Sequence, residues 1–250
     1  MSGNLRREGP DFFVPKFIKI SGRDKRYAEN DSCKKSIGYL SNPKGIRLLN
    51  IFRDSVEASG LSFYPDYGGE FYYMDPSDSK KYIVLEEYFN YLKQVRINEL
   101  QMVAQDLGAK HFRVTYMEEN RSFLGKRATK GVNLHKVINT ELDQSSIEKK
   151  YVTAEIAAEM EFLGHAPKMP KLQYMKYDPS INGLIEMRMK EYPLVHQKFM
   201  LKLSNTSGLK ESEALRIDAT LKSMKVGSNM TILKEAQNES KRYLEYEIDF

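Results

Sequence analysis

The side chains best suited to acid–base or metal chemistry are scattered along this chain. Its histidines are His111, His135, His165 and His196, and no two have the spacing by which a helix or hairpin places two ligands on one metal ion. Cys33 is the only cysteine, so neither a thiolate cluster nor an internal disulfide can form. We therefore predict no metal site and no cofactor. Alternation puts His111 and His196 on faces of predicted strands, where we expect structural or surface roles.

Paired carboxylates are a second source of chemistry, because an acid–base or two-metal site needs carboxylates that converge from different strands. Glu118 would converge with Glu161 or Glu247 if the strand order allowed it. The interpretation we favour is that these side chains line the solvent face of an antiparallel sheet and pair with lysines across strands. The residues concerned are Glu86, Glu87, Glu118, Glu119, Glu159, Glu161, Glu245, Glu247, Asp249, Lys198 and Lys202.

The motifs that mark common enzyme classes are absent from the sequence. It contains no G-x-G-x-x-G dinucleotide fingerprint and no G-x-S-x-G nucleophile elbow. Gly125-Lys126 resembles the end of a phosphate-binding P-loop, but no glycine stands five residues earlier and Thr129 is not adjacent. We identify no catalytic residue and favour a non-enzymatic function, with dispersed catalytic residues as the open alternative.

A basic cluster is the candidate site for an anionic partner, while a protein partner would use the Tyr-rich stretch over residues 63–73 or the helix predicted over residues 79–107. The basic cluster comprises Arg121, Lys126, Arg127 and Lys130, with two apolar residues among them, inside a long polar connector over residues 119–149. Cations with embedded apolar groups suit phosphate-bearing partners, either nucleic acid or the headgroups of an anionic membrane. The sequence does not choose between these partners, and a solvated basic loop without a partner is the third interpretation.

Composition places the chain among globular proteins. Its 250 residues are 41% hydrophobic and 29% charged, and 39 Lys and Arg against 34 Asp and Glu give a net charge of +5. The positive excess lies in residues 1–60 and 109–150. The N-terminus has no apolar signal-peptide core, and no run approaches the ~18 apolar residues of a membrane helix, so we predict a cytoplasmic protein.

The N-terminal third predicts a small α/β subdomain. We expect a disordered tail over residues 1–11 and then a subdomain over residues 12–78 with short strands and one helix. The helix is predicted over residues 43–59, because Pro43 suits a first helical position and Gly60 follows the end. Two aromatic strands are predicted on either side of residues 66–69.

Residues 79–250 predict the main domain, of α+β class: an antiparallel, about four-stranded sheet with helices packed mainly on one face. The last strand carries the clearest signal, because Leu244, Tyr246, Ile248 and Phe250 alternate with polar residues. Residues 150–163 fit a strand or a helix, and we favour the strand. The predicted elements are a helix over 79–107, strands over 109–118, 150–163 and 195–204, helices over 179–192 (capped by Asp178) and 207–226, a polar hinge, and a strand over 242–250.

This organisation leads to three functional hypotheses. The first is a membrane-active or self-assembling protein, because alternating strands flank polar or amphipathic connectors. In this respect the pattern resembles pore-forming proteins of the gasdermin and perforin-like kind, in which soluble strands flank segments that convert to amphipathic hairpins. The alternatives are a nucleic-acid-binding protein that uses the basic segments, and a scaffold or adaptor protein. Self-association as a homo-oligomer is expected under the first hypothesis.

Overall fold

The computed structural model describes residues 14–23, 36–119, 151–206, 208–226 and 231–250, and only the backbone of residues 151–153. In these ranges the chain is a mixed α/β protein with four α-helices and two sheets, of six and four strands. The predicted tail, residues 1–11, and residues 120–149 of the predicted connector lie outside the described residues.

The six-stranded sheet is built from the N-terminal part of the chain. Its strands are β1 (Phe17–Ser21), β2 (Gly38–Ser41), β3 (Leu48–Phe52), β4 (Ser62–Tyr64), β5 (Phe71–Asp75) and β6 (Asp78–Val84). They are ordered β2-β3-β1-β5-β6-β4. The neighbours β1 and β3 are parallel, as are β4 and β6, and the other pairs are antiparallel. β4 and β5 confirm the two predicted aromatic strands.

The helix predicted over residues 43–59 is wrong. The chain instead forms short 3-10 turns at Pro43–Gly45, Arg53–Ser55 and Glu57–Ser59, with β3 between the first two. All five residues of β3 are buried, because the strand lies inside the sheet between β2 and β1. A strand covered on both faces shows no alternation in its sequence, so its apolar residues coincided with helical spacing.

The four-stranded sheet confirms the strands predicted in the C-terminal part of the chain. It consists of β7 (His111–Glu119), β8 (Tyr151–Glu161), β9 (His196–Lys202) and β10 (Arg242–Asp249). They are ordered β8-β7-β10-β9, and every neighbouring pair is antiparallel. The ambiguous segment of residues 150–163 is therefore a strand, and it returns antiparallel to β7 as predicted.

A bulge in β8 corrects one detail of that prediction. Val114 is level with Ala158, but Thr115 is level with Ile156, so Ala157 is an extra residue in the ladder. The bulge moves Ile156 from the face that carries Met160 to the opposite face, and 59% of Ile156 is exposed there. Alternation alone had put both residues on one face.

The described chain also contains four α-helices: α1 (Tyr88–Asp106), α2 (Pro179–Arg188), α3 (Glu211–Ser223) and α4 (Ile232–Glu239). The cap predicted for α2 is confirmed, because Asp178 accepts hydrogen bonds from the N–H groups of Ser180 and Ile181 at 2.9 and 3.1 Å. α1 begins later than predicted, because residues 79–84 belong to β6. α4 lies where a polar hinge was predicted. No helix among the described residues is long and apolar enough to cross a membrane.

Two cores share helix α1. The C-terminal half of α1 packs with α2 on the inner face of the four-stranded sheet, around Leu100, Phe112 and Tyr246. The N-terminal half of α1 packs with α3 and α4 on the six-stranded sheet, around Phe17 and Ile217. The helices α3 and α4 therefore connect two strands of one sheet while packing on the other sheet.

Candidate functional site

The outer face of the four-stranded sheet carries a group of eight ionisable side chains that face one way. Residues directly opposite each other in neighbouring antiparallel strands point to the same side. The pairing therefore arranges this face in rows that cross all four strands in the order β8, β7, β10, β9. The first row is Glu161, His111, Asp249 and His196, and the second is Glu159, Arg113, Glu247 and Lys198.

The first row is organised around Asp249. One carboxylate oxygen of Asp249 lies 2.7 Å from Nδ1 of His196, and the other lies 3.3 Å from Nδ1 of His111. Nε2 of His111 lies 3.0 Å from Oε1 of Glu159. Both ring nitrogens of His111 thus face carboxylates, and both can donate only when the ring is protonated. Its hydrogen bonds to Glu159 and Asp249 raise the pKa of His111, while the bonds from His196 and His111 lower the pKa of Asp249.

The second row contains two ion-pair groups. Arg113 donates from Nε and Nη2 to Oε1 of Glu159 at 2.9 and 2.6 Å. Lys198 Nζ lies 2.9 Å from Glu245 and 3.4 Å from Glu247. The hydrogen bond from Arg113 lowers the pKa of Glu159, and the bond to Glu245 raises the pKa of Lys198. These side chains are partly exposed, so the pairs contribute little to stability.

The signs of the charges alternate along both rows. Carboxylates occupy the β8 and β10 positions, while cations or histidines occupy the β7 and β9 positions. The part of the chain that the structure describes contains no group of three or more His, Cys, Asp or Glu side chains placed to hold a metal ion. The face thus presents carboxylates that alternate with an arginine, a lysine and two histidines.

One end of the same sheet carries both of its long connections. Strand β7 ends at Glu119 and β8 begins opposite it at Tyr151, so residues 120–150 leave and return at this end. Strand β9 ends at Lys202, next to Tyr243 near the start of β10, so residues 203–241 leave and return at the same end. This common end follows from the two pairs of successive antiparallel strands in the order β8-β7-β10-β9.

A buried ion pair holds α4 near that end. Arg96 of α1 is fully buried, and its Nη1 donates to Oε1 of Glu239, which is 2% exposed, at 3.2 Å. The Nε and Nη2 groups of Arg96 have no hydrogen-bond partner. Burial lowers the pKa of Arg96 and raises the pKa of Glu239. Arg242 of β10 also reaches α4, at 3.0 Å from Glu235 and 3.5 Å from Glu239.

A cleft of about 270 Å³ opens beside this ion pair, between α1, α4 and the inner face of the sheet. Charged side chains from three elements reach its wall, among them Lys93, Glu235 and Arg242. The Lys93 ammonium lies 4.7 Å from the centre of the Tyr116 ring, which is a cation–π contact. The cleft thus separates part of α4 from the sheet, and the contact between them rests on few apolar groups there.

The structure separates the site residues predicted from the sequence. The basic cluster of Arg121, Lys126, Arg127 and Lys130 lies outside the described residues. The polar sheet face is confirmed for the carboxylates of β8 and β10, with Lys198 paired to Glu245 and Glu247. Lys202 lies level with Tyr243 rather than with a carboxylate. The prediction is wrong for Glu86 and Glu87, because they lie outside the sheet, in the 3-10 turn Leu85–Glu87 that precedes α1.

The hypothesis that Glu118 converges with Glu161 or Glu247 is wrong. Glu118 lies level with Arg242 at the end of the sheet where the connections leave, whereas Glu161 lies level with His111 at the other end. Because side chains alternate along β7, Glu118 lies on the inner face, opposite to Arg113 and Thr115. Glu247 is level with Arg113 and therefore lies on the outer face. The reasoning from sequence missed the contacts of Asp249 with two histidines, because these depend on strand order.

Comparisons with known proteins add no family to these observations. No protein-family model, no curated protein and no solved structure matches the chain.

Proposed function

We propose that this chain is a non-enzymatic, self-assembling protein that acts on anionic membranes. In this proposal, copies join edge to edge through the four-stranded sheet, and the two connections extend into the bilayer as hairpins. The observation that carries the proposal is the common end of the sheet from which both connections leave. A protein whose sheet is placed over a membrane needs this arrangement, because both hairpins must enter the bilayer from one side.

Strand direction supports the assembly step. Directions alternate across β8, β7, β10 and β9, and the number of strands is even. A copy placed beside another by rotation therefore sets β9 antiparallel to the next β8, and the alternation continues through every junction. A repeated head-to-tail contact of this kind closes into a ring when the rotation allows it, and a closed ring leaves no free strand edge.

The length and pattern of the connections support the membrane step. A membrane-crossing strand needs ~9–11 residues, and residues 120–150 and 203–241 each exceed the length of two such strands. Within α3, the sequence from Leu215 to Lys222 (LRIDATLK) alternates apolar and polar residues and also fits helical spacing. This segment is compatible with a buried helix in one state and an amphipathic strand in another.

The test is dye release from vesicles containing phosphatidylserine, compared with vesicles of phosphatidylcholine alone, between pH 5 and 8. We expect release from the anionic vesicles only, together with high-mass assemblies on their surface. Absence of release from both vesicle types at every pH would overturn the proposal. A shift of DNA or RNA mobility at low salt, without release, would instead favour the nucleic-acid alternative. Capture of a defined protein partner without release would favour a scaffold.

A further inference from the structure

The two edges of the four-stranded sheet carry opposite charges on the outer face. Strand β8 presents Glu161 and Glu159 at one edge, while β9 presents His196 and Lys198 at the other. Glu161 lies in the same row as His196, and Glu159 lies in the same row as Lys198. The acidic residues of the β8 edge are therefore level with the basic residues of the β9 edge.

We propose that β9 of one copy pairs antiparallel with β8 of a second copy in level register, so that His196 stands beside Glu161 and Lys198 beside Glu159 of the neighbouring copy. This inference rests on the proposed self-assembly and specifies its contact. Each row then alternates in sign across the junction in the same way as within one copy. The partner that the edges select is thus a second copy of this chain.

Other registers satisfy fewer of these pairs. A shift by two residues in one direction sets Lys198 beside Glu161 of the neighbouring copy. His196 then has no carboxylate of the neighbouring copy beside it. A shift by two in the other direction sets His196 beside Glu159 and leaves Lys198 beside Ile156. A shift by one residue turns the charged side chains of one copy to the opposite face of the joint sheet. Level register is the arrangement that keeps both pairs.

Two-fold contacts are disfavoured by the same charges. In the two-fold register centred on Met160, two β8 edges would bring Glu159 of each copy against Glu161 of the other. Two β9 edges would bring Lys198 against the cationic edge of its counterpart. Like charges directly opposite each other are destabilising, so the edges oppose symmetric dimers and favour the head-to-tail contact that can propagate.

A charge-exchange experiment tests the contact. The variants Glu159→Lys and Lys198→Glu each place like charges at every junction, so each variant alone is expected to assemble about tenfold less well than the unaltered chain. An equimolar mixture restores opposite charges at junctions between unlike copies, and assembly should recover with alternating composition. Assembly is measured by light scattering and chemical crosslinking, in solution and on phosphatidylserine vesicles. Circular dichroism establishes that each variant is folded, and Lys202→Glu, on the same strand but outside the two rows, is the matched control.

Cysteine crosslinking reports the register independently. In a Cys33→Ser background, Glu161→Cys combined with His196→Cys should form disulfide-linked ladders, whereas Glu161→Cys combined with Lys202→Cys should not.

Folded single variants that assemble like the unaltered chain, or a mixture that fails to recover, would overturn the inference, as would an unaltered chain that never assembles. Dye release without level-register crosslinks would reject this contact and leave the membrane proposal standing. Level-register crosslinks without dye release would support this contact and reject the membrane proposal.

Discussion

Replacing the buried Arg96–Glu239 pair by apolar residues should fix α4 more firmly in place. Arg96 is fully buried, yet only its Nη1 has a hydrogen-bond partner, so the pair is incompletely satisfied. Glu239→Leu alone leaves the guanidinium buried without its carboxylate and should cost about 3–5 kcal/mol of unfolding free energy. The double variant Arg96→Met/Glu239→Leu removes both charges and should be neutral or up to about 4 kcal/mol more stable than the unaltered chain.

Urea unfolding measures the change in stability. The rate of dye release from anionic vesicles measures whether holding α4 more firmly slows membrane insertion. If α4 must leave its packed position before membrane insertion, a gain of about 1–2 kcal/mol slows release roughly 5–30-fold. The matched control is Glu186→Leu/Lys190→Met, which removes an exposed ion pair of 3.4 Å. The control should change neither stability nor release appreciably, because exposed pairs contribute little.

Two results would refute this reasoning. A double variant as unstable as Glu239→Leu would show that the pair is a favourable part of the core. A double variant that is more stable but releases dye at the unaltered rate would show that α4 does not move before insertion.

Four further predictions follow from the described contacts and the basic cluster. The raised pKa of His111 contributes stability that is full below its ordinary pKa of 6.5 and is lost as pH rises through the folded value, so His111→Gln should flatten thermal stability between about pH 6 and 8. Asp218→Ala should cost about 0.5–2 kcal/mol in urea unfolding and speed dye release, because its carboxylate caps α4 through the N–H groups of Ile232 and Leu233 at 3.0 Å. Changing the four residues of the basic cluster to glutamine should weaken the free energy of binding to anionic vesicles by about 1 kcal/mol per residue at low salt, as measured by sedimentation with the vesicles. Deleting residues 244–250 should abolish cooperative unfolding, since Leu244, Tyr246 and Ile248 are fully buried.

Strands β7, β9 and β10 were predictable because one face of each is more deeply buried than the other. Alternation is the direct result of burying one face and exposing the other, and it predicted β7, β9 and β10 within a few residues. Strand β3 failed this test because both of its faces are buried. The start of α1 failed for a different reason: the apolar residues at the end of β6 continue the helical spacing of α1 across the short turn at Leu85–Glu87.

The candidate site was predictable only in part. Alternation indicates which face of a strand a residue lies on, but it does not indicate which strands are neighbours in the sheet. The polar faces of β10 and of the strand that carries Lys198 follow from alternation. The position of Asp249 between two histidines requires β7 on one side and β9 on the other, and chain order contains no such information. The bulge at Ala157 likewise depends on the partner strand, and it alone puts Ile156 on the outer face.

Under the proposed membrane function, the placement of α3 and α4 explains what keeps the connection between β9 and β10 from inserting prematurely. These helices belong to the connection between β9 and β10, but they bury Ile217, Leu221 and Ile232 against the six-stranded sheet. In that proposal, a membrane hairpin formed from this connection must give up that core, so the six-stranded sheet would retain the helices before insertion. The buried Arg96–Glu239 pair is a replaceable part of these contacts, because apolar residues of similar volume are often at least as stabilising. An element that must both stay packed in solution and leave on a membrane requires a contact of this intermediate strength, and the release rate of the apolar double variant measures it directly.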